Sequence, residues 1–345
     1  MLTAVRRDGS PCWNSDQAVE SGGFRMRAAV VTRFGPAAEV VRVRDYEPPA
    51  LGAGAVAVRM LAAAINPSDL VTVSGAYASR TELPLVPGFE GVGRVCGVGP
   101  GVTTVAVGDR VLPIGSAGAW QQVKTTEARW CFRVLPDLTD EQAALSYINP
   151  LTAVRMVSEF ALPRGAPAVA VNAAGSAIGG MLARLLNRHG IRPVALVRGD
   201  ADGPGTAGPE WAGVLSTREP GWERELIRLT GGGPEIGYDA VGGAAGDVLI
   251  ATLRPGGSLV HYGLLSGRPL SARRPDVSIV LYRLRDWVHR AGHGELQSAL
   301  DEAGRLVLDG TAASTVQGTF PLDDVRSAIL TTQRSGGRGK VLLLP

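Results

Sequence analysis

The residues whose types and spacing best suit a chemical role are Asn172-Ala173-Ala174-Gly175-Ser176-Ala177-Ile178-Gly179, which follow the apolar run Ala166–Val171 and open the helical stretch Met181–Arg188. A strand that turns through small residues into a helix brings backbone amides and the positive end of the helix dipole to one point. Side chains no larger than Ala or Ser leave a pyrophosphate room to approach those amides, so the string reads as a dinucleotide-binding turn. From Ala173 it runs Ala-x-x-Ser-x-x-Gly rather than Gly-x-Gly-x-x-Gly, and strings this short also occur in ordinary strand-to-helix turns. The next strand, Pro193–Val197, ends on Arg198, roughly 20 residues on, where such folds read the ribose. An acidic residue there selects NAD. Arg198 suits the 2′-phosphate of NADP, the competing reading being a solvated arginine that closes a strand.

The elements that must position these residues are set by length and composition. A chain of 345 residues predicts about two domains, and with 45% hydrophobic and 19% charged residues it reads as globular with ample core. A formal net charge of +3 is too small to argue for nucleic acid or a membrane surface. No stretch reaches the ~18 uninterrupted apolar residues of a membrane span. Cys12, Cys96 and Cys131 have no metal-ligand spacing, and an odd, scattered set points to reduced thiols in a cytoplasmic protein. Residues 1–25 are polar and aperiodic with no apolar signal core, and read as a disordered extension or the product of an upstream start codon.

From Arg27 to about Tyr147, short β-rich segments are punctuated by Gly and Pro: Ala55–Ala64, Gly91–Val98, Arg110–Pro113, Trp120–Thr125 and Ala128–Val134. That is the texture of a mostly antiparallel, barrel-like domain. From Pro150 to Gly263, helices Thr152–Phe160, Ile178–His189, Trp222–Thr230 and Gly246–Leu253 alternate with strands Ala168–Val171, Val194–Val197, Ile236–Ala240 and Ser258–Gly263. This predicts an α/β, doubly wound parallel sheet over residues 150–287, inserted between 26–149 and 288–345. The tail returns to β texture at Thr315–Phe320 and Lys340–Leu344, and Gly199–Gly208 is a low-complexity loop bordering the expected adenosine site.

The order of short strings resembles the medium-chain dehydrogenase/reductase superfamily, in its zinc-independent branch of quinone oxidoreductases and mitochondrial-type trans-2-enoyl thioester reductases. The strings are Ala64-Ile65-Asn66-Pro67-Ser68-Asp69, Gly75-Ala76-Tyr77, Leu83–Gly91, Gly108-Asp109-Arg110-Val111, Gly118-Ala119-Trp120, Asn149-Pro150-Leu151-Thr152-Ala153, the phosphate turn, Asp239–Gly243 and Gly336–Val341. The resemblance implies a Rossmann sheet inserted in a GroES-like catalytic domain. Ser176 within the turn and Asn149-Pro150-x-Thr152-Ala153-x-Arg155 are similar to the enoyl reductases in particular. Their catalytic tyrosine lies in an Asn-Tyr-Gly setting that corresponds to Ala76-Tyr77-Ala78 here, with both neighbours changed. Leu284-Arg285-Asp286-Trp287 departs from their Gly-Phe-Trp element, and Phe89, Trp120 and Trp287 are expected to line the substrate pocket.

Zinc-dependent relatives place Cys at the position of Asn66 and His at that of Phe89, so no catalytic metal is expected. The resemblance then implies hydride transfer from NADPH to the activated C=C of an enone or enoyl thioester. The thioester carrier is either coenzyme A or an acyl carrier protein. Quinone reduction and a low-turnover NADPH-binding regulatory protein are the alternatives. A phenol holds its proton at neutral pH and donates it to an enolate, which makes Tyr77 the candidate acid, against a loop tyrosine on the cleft rim. Asn66 either positions the nicotinamide ribose or caps the turn before Pro67. Thr152 is expected to contact the cofactor or cap its helix. Gly242, Gly263, Leu264 and Leu265 are expected to cradle the nicotinamide half, with Tyr262 stacked nearby. His261 and Glu90 read as structural. The resemblance also implies a homodimer, and the apolar run Val277–Leu281 is the expected pairing segment.

Overall fold

The computed structural model describes residues 26–165, 167–199, 206, 208–335 and 339–345. The extension expected over residues 1–25 and most of the loop expected over Gly199–Gly208 lie outside the described residues. The chain divides into two compact units, one of residues up to Ile148 with Val288–Leu308 and Ser314–Pro345, the other of Asn149–Trp287 with Asp309–Ala313.

The first unit begins with a two-stranded antiparallel pair, β1 (Met26–Val31) and β2 (Val41–Tyr46), joined through the short helix α1 (Ala37–Val40). Next come β3 (Ala55–Ile65), α2 (Pro67–Ser74), β4 (Gly91–Val98), β5 (Arg110–Pro113), β6 (Val123–Glu127), β7 (Cys131–Arg133) and α3 (Asp140–Ala144). Helix α4 (Ile148–Met156) leads into the second unit. There β8 (Val169–Asn172), α5 (Ala177–Asn187), β9 (Val194–Val197) and β10 (Gly213–Ser216) precede α6 (Trp222–Leu229), β11 (Ile236–Asp239) and α7 (Gly243–Thr252). Strands β12 (Ser258–His261) and β13 (Ser278–Leu281) and helix α8 (Leu284–Val288) complete this insertion. The chain then returns through α9 (His293–Leu308), β14 (Val316–Pro321), α10 (Val325–Ser335) and β15 (Lys340–Leu344).

In the first unit the sheet order is β14-β15-β3-β4-β5-β7, with β6 also on β3, and every pairing is antiparallel except β14 with β15. Strand β3 is the hub because its run of Ala, Val, Met and Ile is buried along most of its length and carries three partners. Its neighbours Val95, Val111, Trp120, Val341 and Leu343 fill the core with it.

The second unit is a six-stranded, all-parallel sheet in the order β10-β9-β8-β11-β12-β13. Its central strands β8, β11 and β12 are buried at every residue, as a parallel sheet covered by helices on both faces requires. The strand order reverses between β8 and β11. In such sheets ligands bind in the crevice outside the carboxyl ends of the strands at this reversal, which makes the loops that leave β8, β11 and β12 the candidate site. Segment 309–313 joins this unit because the Arg184 guanidinium on α5 donates to the carbonyls of Thr311 and Ala313, at 2.8 and 3.2 Å.

Several elements differ from the sequence reading. The expected strand Trp120–Thr125 starts only at Val123, because Trp120 turns inward and is fully buried. The expected strand Ala128–Val134 is a 3₁₀ turn over Ala128–Trp130 followed by β7. The helix expected from Thr152 starts four residues earlier at Ile148 and widens to a π turn over Val157–Ala161. Thr152 is therefore a mid-helix residue and does not cap anything. Strand β10 and helices α9 and α10 add elements that the alternation of apolar runs does not show.

Candidate active site

The phosphate turn is built as its residue types require. Asn172 ends β8, and its side chain is fully engaged: Oδ1 accepts the Ala173 amide at 2.9 Å and Nδ2 donates to Asp239 at 2.9 Å. That grip holds Ala173 at φ 54°, the one non-glycine residue at positive φ among the described residues. Such a conformation costs roughly 1–2 kcal/mol for a residue with a Cβ, a cost that tends to sit at functional turns. Ala174 is buried, and a Cβ on Gly179 would stand 2.4 Å from the Ala174 carbonyl oxygen, so Gly179 is fixed by the close approach of α5 to the turn. Gly175 is different. Its backbone angle does not demand a glycine, and a Cβ there would meet no protein atom within 4 Å, which leaves open space above the turn for a ligand. Ser176 caps α5 by accepting the Gly179 amide at 3.2 Å. The amides of Ala177 and Ile178 in the same first turn have no intrahelical acceptor, the arrangement that lets a helix start receive an anion.

Arg198 is exposed just beyond the end of β9. The loop after β12 is pinned to the loop after β11: the amides of Tyr262, Leu265 and Ser266 donate to the carbonyls of Asp239, Ala240 and Val241 at 2.9–3.0 Å. Two expectations change here. The Leu265 amide is spent on Ala240 and the Gly242 amide on the Asp239 carboxylate at 3.0 Å, so neither amide is open to a cofactor. Gly263 and Leu264 stay half-buried. The Tyr262 hydroxyl is buried with no hydrogen-bond partner among the described residues, and burial holds its phenol far above the usual range. An orphaned buried hydroxyl of this kind fits a site completed by a bound molecule. On the same unit, Thr152 is buried, and the Arg155 guanidinium lies 4.4 Å over the Trp287 ring while also pairing with Glu159.

In the first unit Tyr77 stands in the exposed segment Ala76–Arg80, directly after α2 and its left-handed Gly75 cap, and is 43% exposed. Asn66, by contrast, is buried and its amide is committed. Nδ2 donates to Glu90 Oε2 at 2.8 Å, Oδ1 accepts from the Lys340 ammonium, and its own amide N–H donates to Asp69 at 2.7 Å in the capping of α2. The expected contact from Asn66 to a cofactor is thus replaced by a framework role. Glu90 Oε1 also accepts the amides of Tyr147 and Ile148 at 3.1 and 2.7 Å and so fixes the start of α4. Asp69 holds the Phe89 amide at 3.0 Å, leaving the Phe89 ring half-buried. Burial pushes the Asp69 carboxyl up to about 7 and raises that of Glu90, while burial lowers the Lys340 ammonium; the Lys340 charge works against both carboxyl shifts. Trp120 also departs from expectation. It is fully buried, donates from Nε1 to the Ala64 carbonyl at 2.9 Å, and packs against Gly88, so it is core rather than pocket lining.

Residues 52–138 match the alcohol dehydrogenase GroES-like domain. The mitochondrial enoyl-[acyl-carrier-protein] reductase of Arabidopsis thaliana is 32% identical over 322 residues, 89% of this chain and 85% of that protein. This chain belongs to the medium-chain dehydrogenase/reductases, in the zinc-independent branch that contains such enoyl reductases. Among solved structures, a Bacillus thuringiensis protein provisionally named an NADPH:quinone reductase superposes with a TM-score of 0.87 at 33% identity, covering 94% of this chain and all of that one. A mycobacterial member of the fold, solved in complex with NADPH, has a TM-score of 0.83 at 29% identity over 93% of this chain and all of that one. Lys340, Asp239 and His261 are the residues of this reductase whose roles emerge only from the fold. Their partners lie far away in sequence, at Asn66, Asn172 and on a neighbouring strand.

Proposed function

We propose that this chain is an NADPH-dependent reductase of the activated C=C bond in α,β-unsaturated carbonyl compounds, with enoyl thioesters as the substrate class. The observation that carries the reading is the presence of both a capped, ligand-sized phosphate turn at Gly175–Ser176 and a solvent-facing tyrosine at the position the enoyl reductases use as their acid. The family resemblance supplies the substrate class. When bound, NADPH supplies the hydride that reduces the β-carbon of the substrate. The protein's own residues do the rest. The amides of Ala177 and Ile178 and the α5 dipole take the pyrophosphate, Arg198 takes the 2′-phosphate, and the loop from Tyr262 to Leu264 with Gly242 shapes the seat of the nicotinamide. Tyr77 delivers a proton to the α-carbon or hydrogen-bonds the developing enolate oxygen.

The quinone reading is favoured by one specific finding, the names of the superposed structures, and a substrate panel separates the two. Crotonyl thioesters of coenzyme A and of an acyl carrier protein, small enones, 1,4-benzoquinone and 9,10-phenanthrenequinone are offered with NADPH. Fastest turnover of the thioesters is expected. Quinone reduction without thioester turnover would move the assignment to the quinone reductases, and no turnover with any of them would leave a binding protein.

Two further outcomes follow from this reading. NADPH is expected to bind more tightly than NADH, and Arg198→Ala to lose about 1.5–3 kcal/mol of NADPH affinity, roughly ten- to a hundredfold, with NADH affinity unchanged. Fluorescence titration of both nucleotides checks it, and equal affinities in the parent protein would remove Arg198 from the site. The second concerns assembly. Among the described residues strand β13 pairs only with β12, and Leu281 at its end is 63% exposed, an apolar sheet edge that needs cover. A homodimer through this edge, in the cytosol, is the expected state. Light scattering at micromolar concentration should give twice the chain mass, and Leu281→Lys should shift it toward the monomer; a monomeric parent protein contradicts the assignment.

A further inference from the structure

The carboxyl ends of β8, β11 and β12 carry a side-chain triad with no part in the cofactor contacts and proton delivery proposed so far. Asp239 is completely buried, and its carboxylate accepts from three donor groups besides the imidazole: Asn172 Nδ2 at 2.9 Å and the Val241 amide at 3.0 Å on Oδ1, and the Gly242 amide at 3.3 Å on Oδ1 and 3.0 Å on Oδ2. His261 Nδ1 lies 2.8 Å from the same Oδ2. A carboxylate surrounded by donors is an acceptor only, so Nδ1 carries a proton, and the tautomer that this pairing selects presents its lone pair at Nε2. Among the described residues Nε2 has no hydrogen-bond partner, although the side chain is only 11% exposed.

The surroundings keep that nitrogen available. Gly242 has φ +69°, and a Cβ there would come within 3.1 Å of His261 Cε1. The flank of the ring is therefore bare backbone. The Asn172–Asp239 bond spans the reversal of strand order between β8 and β11, and His261 stands one strand further on, at the end of β12. In a doubly wound sheet the two halves of a dinucleotide lie on opposite sides of that reversal. The phosphate turn, β9 and Arg198 belong to the adenosine side, which leaves His261 on the nicotinamide side.

We propose that His261, set in one tautomer by Asp239, uses Nε2 to accept a hydrogen bond from the nicotinamide half of NADPH, through the ribose hydroxyls or the carboxamide amine. A core histidine satisfied at one nitrogen and otherwise inert is the alternative. The inference rests on NADPH being the cofactor, and its test is arranged so that the two fail separately.

Equilibrium affinities are measured by fluorescence, without substrate, for NADPH, 2′-phospho-ADP-ribose and adenosine 2′,5′-bisphosphate. His261→Phe is expected to weaken NADPH about tenfold, the scale of one hydrogen bond, and to leave adenosine 2′,5′-bisphosphate unchanged. His261→Gln, which restores an acceptor, should recover most of the loss. If the loss persists with 2′-phospho-ADP-ribose, the donor is the ribose; if it vanishes there, the donor is the carboxamide. Unchanged NADPH affinity in His261→Phe, or an equal loss for adenosine 2′,5′-bisphosphate, overturns the proposal. Failure of the parent protein to bind NADPH overturns the cofactor assignment and this inference together. A second readout needs no variant. With only four histidines in the chain, ¹⁵N-histidine spectra of the parent protein should show His261 as the Nδ1–H tautomer and its Nε2 resonance moving upfield on adding NADPH. A static Nε2 resonance contradicts the contact.

Discussion

Lys340→Met is expected to cost about 3–5 kcal/mol of folding stability at pH 8, the scale on which one partner of a buried ion cluster is removed. The chain has only two lysines among its many arginines, and both are buried. Lys340 reaches Asn66 and faces the buried carboxyls of Glu90 and Asp69, so methionine fills the space and leaves the two acids without a counter-charge. The loss depends on pH in a fixed direction. Glu90 and Asp69 have folded-state pKa values already raised above those of the unfolded chain, and removing the cation raises them further. The folded state then binds more protons than the unfolded state, so stability falls as pH rises from about 4 through the folded values. Chemical denaturation should therefore show a large loss at pH 8 and a smaller one at pH 5. Adding Glu90→Gln to the variant should give a double mutant more stable than the sum of the single losses, because Asn66 is free to reverse its amide once the ammonium is gone. A loss independent of pH would mean that Lys340 acts through packing alone.

Tyr77→Phe is expected to lower kcat by about 10²-fold or more on the best enoyl thioester, at least ~2.7 kcal/mol of transition-state stabilisation. NADPH affinity and thermal stability should stay where they are. Tyr77 is 43% exposed and its hydroxyl makes no hydrogen bond among the described residues, so the substitution keeps the ring and removes the proton donor. Stopped-flow measurement of NADPH oxidation separates the chemical step from release. Full turnover in the variant would show that solvent protonates the enolate and would favour the quinone reductase reading.

How much of the fold and the site is legible in the sequence depends on how local the causes are. Strands β4, β5, β9 and β15 are readable end to end, since each is a short β-prone run closed by turn residues and mostly buried. The phosphate turn is readable for the same reason: small residues between a strand and a helix state their own purpose. Trp120 is not. An aromatic two residues after a glycine fits a pocket wall and a core equally well, and only the Ala64 carbonyl, 56 residues away, decides for the core. Asn66 escapes likewise, because the ammonium that takes its amide oxygen arrives from the last strand of the chain. His261 is a lone strand-end histidine in the sequence, and only the pairing of β11 with β12 places Asp239 beside it. Residues whose role is a long-range polar partner carry no pattern in their own neighbourhood.

The most direct test of the central claim follows the hydrogens. Crotonyl thioester is reduced once with NADPH deuterated at C4 in ordinary water and once with ordinary NADPH in D₂O, and the saturated product is read by NMR. The account predicts deuterium at the β-carbon in the first case and at the α-carbon in the second, with both labels reaching product at the rate of NADPH oxidation. NADPH oxidation that leaves the double bond intact and the thioester unlabelled, while a quinone is reduced in its place, would contradict it.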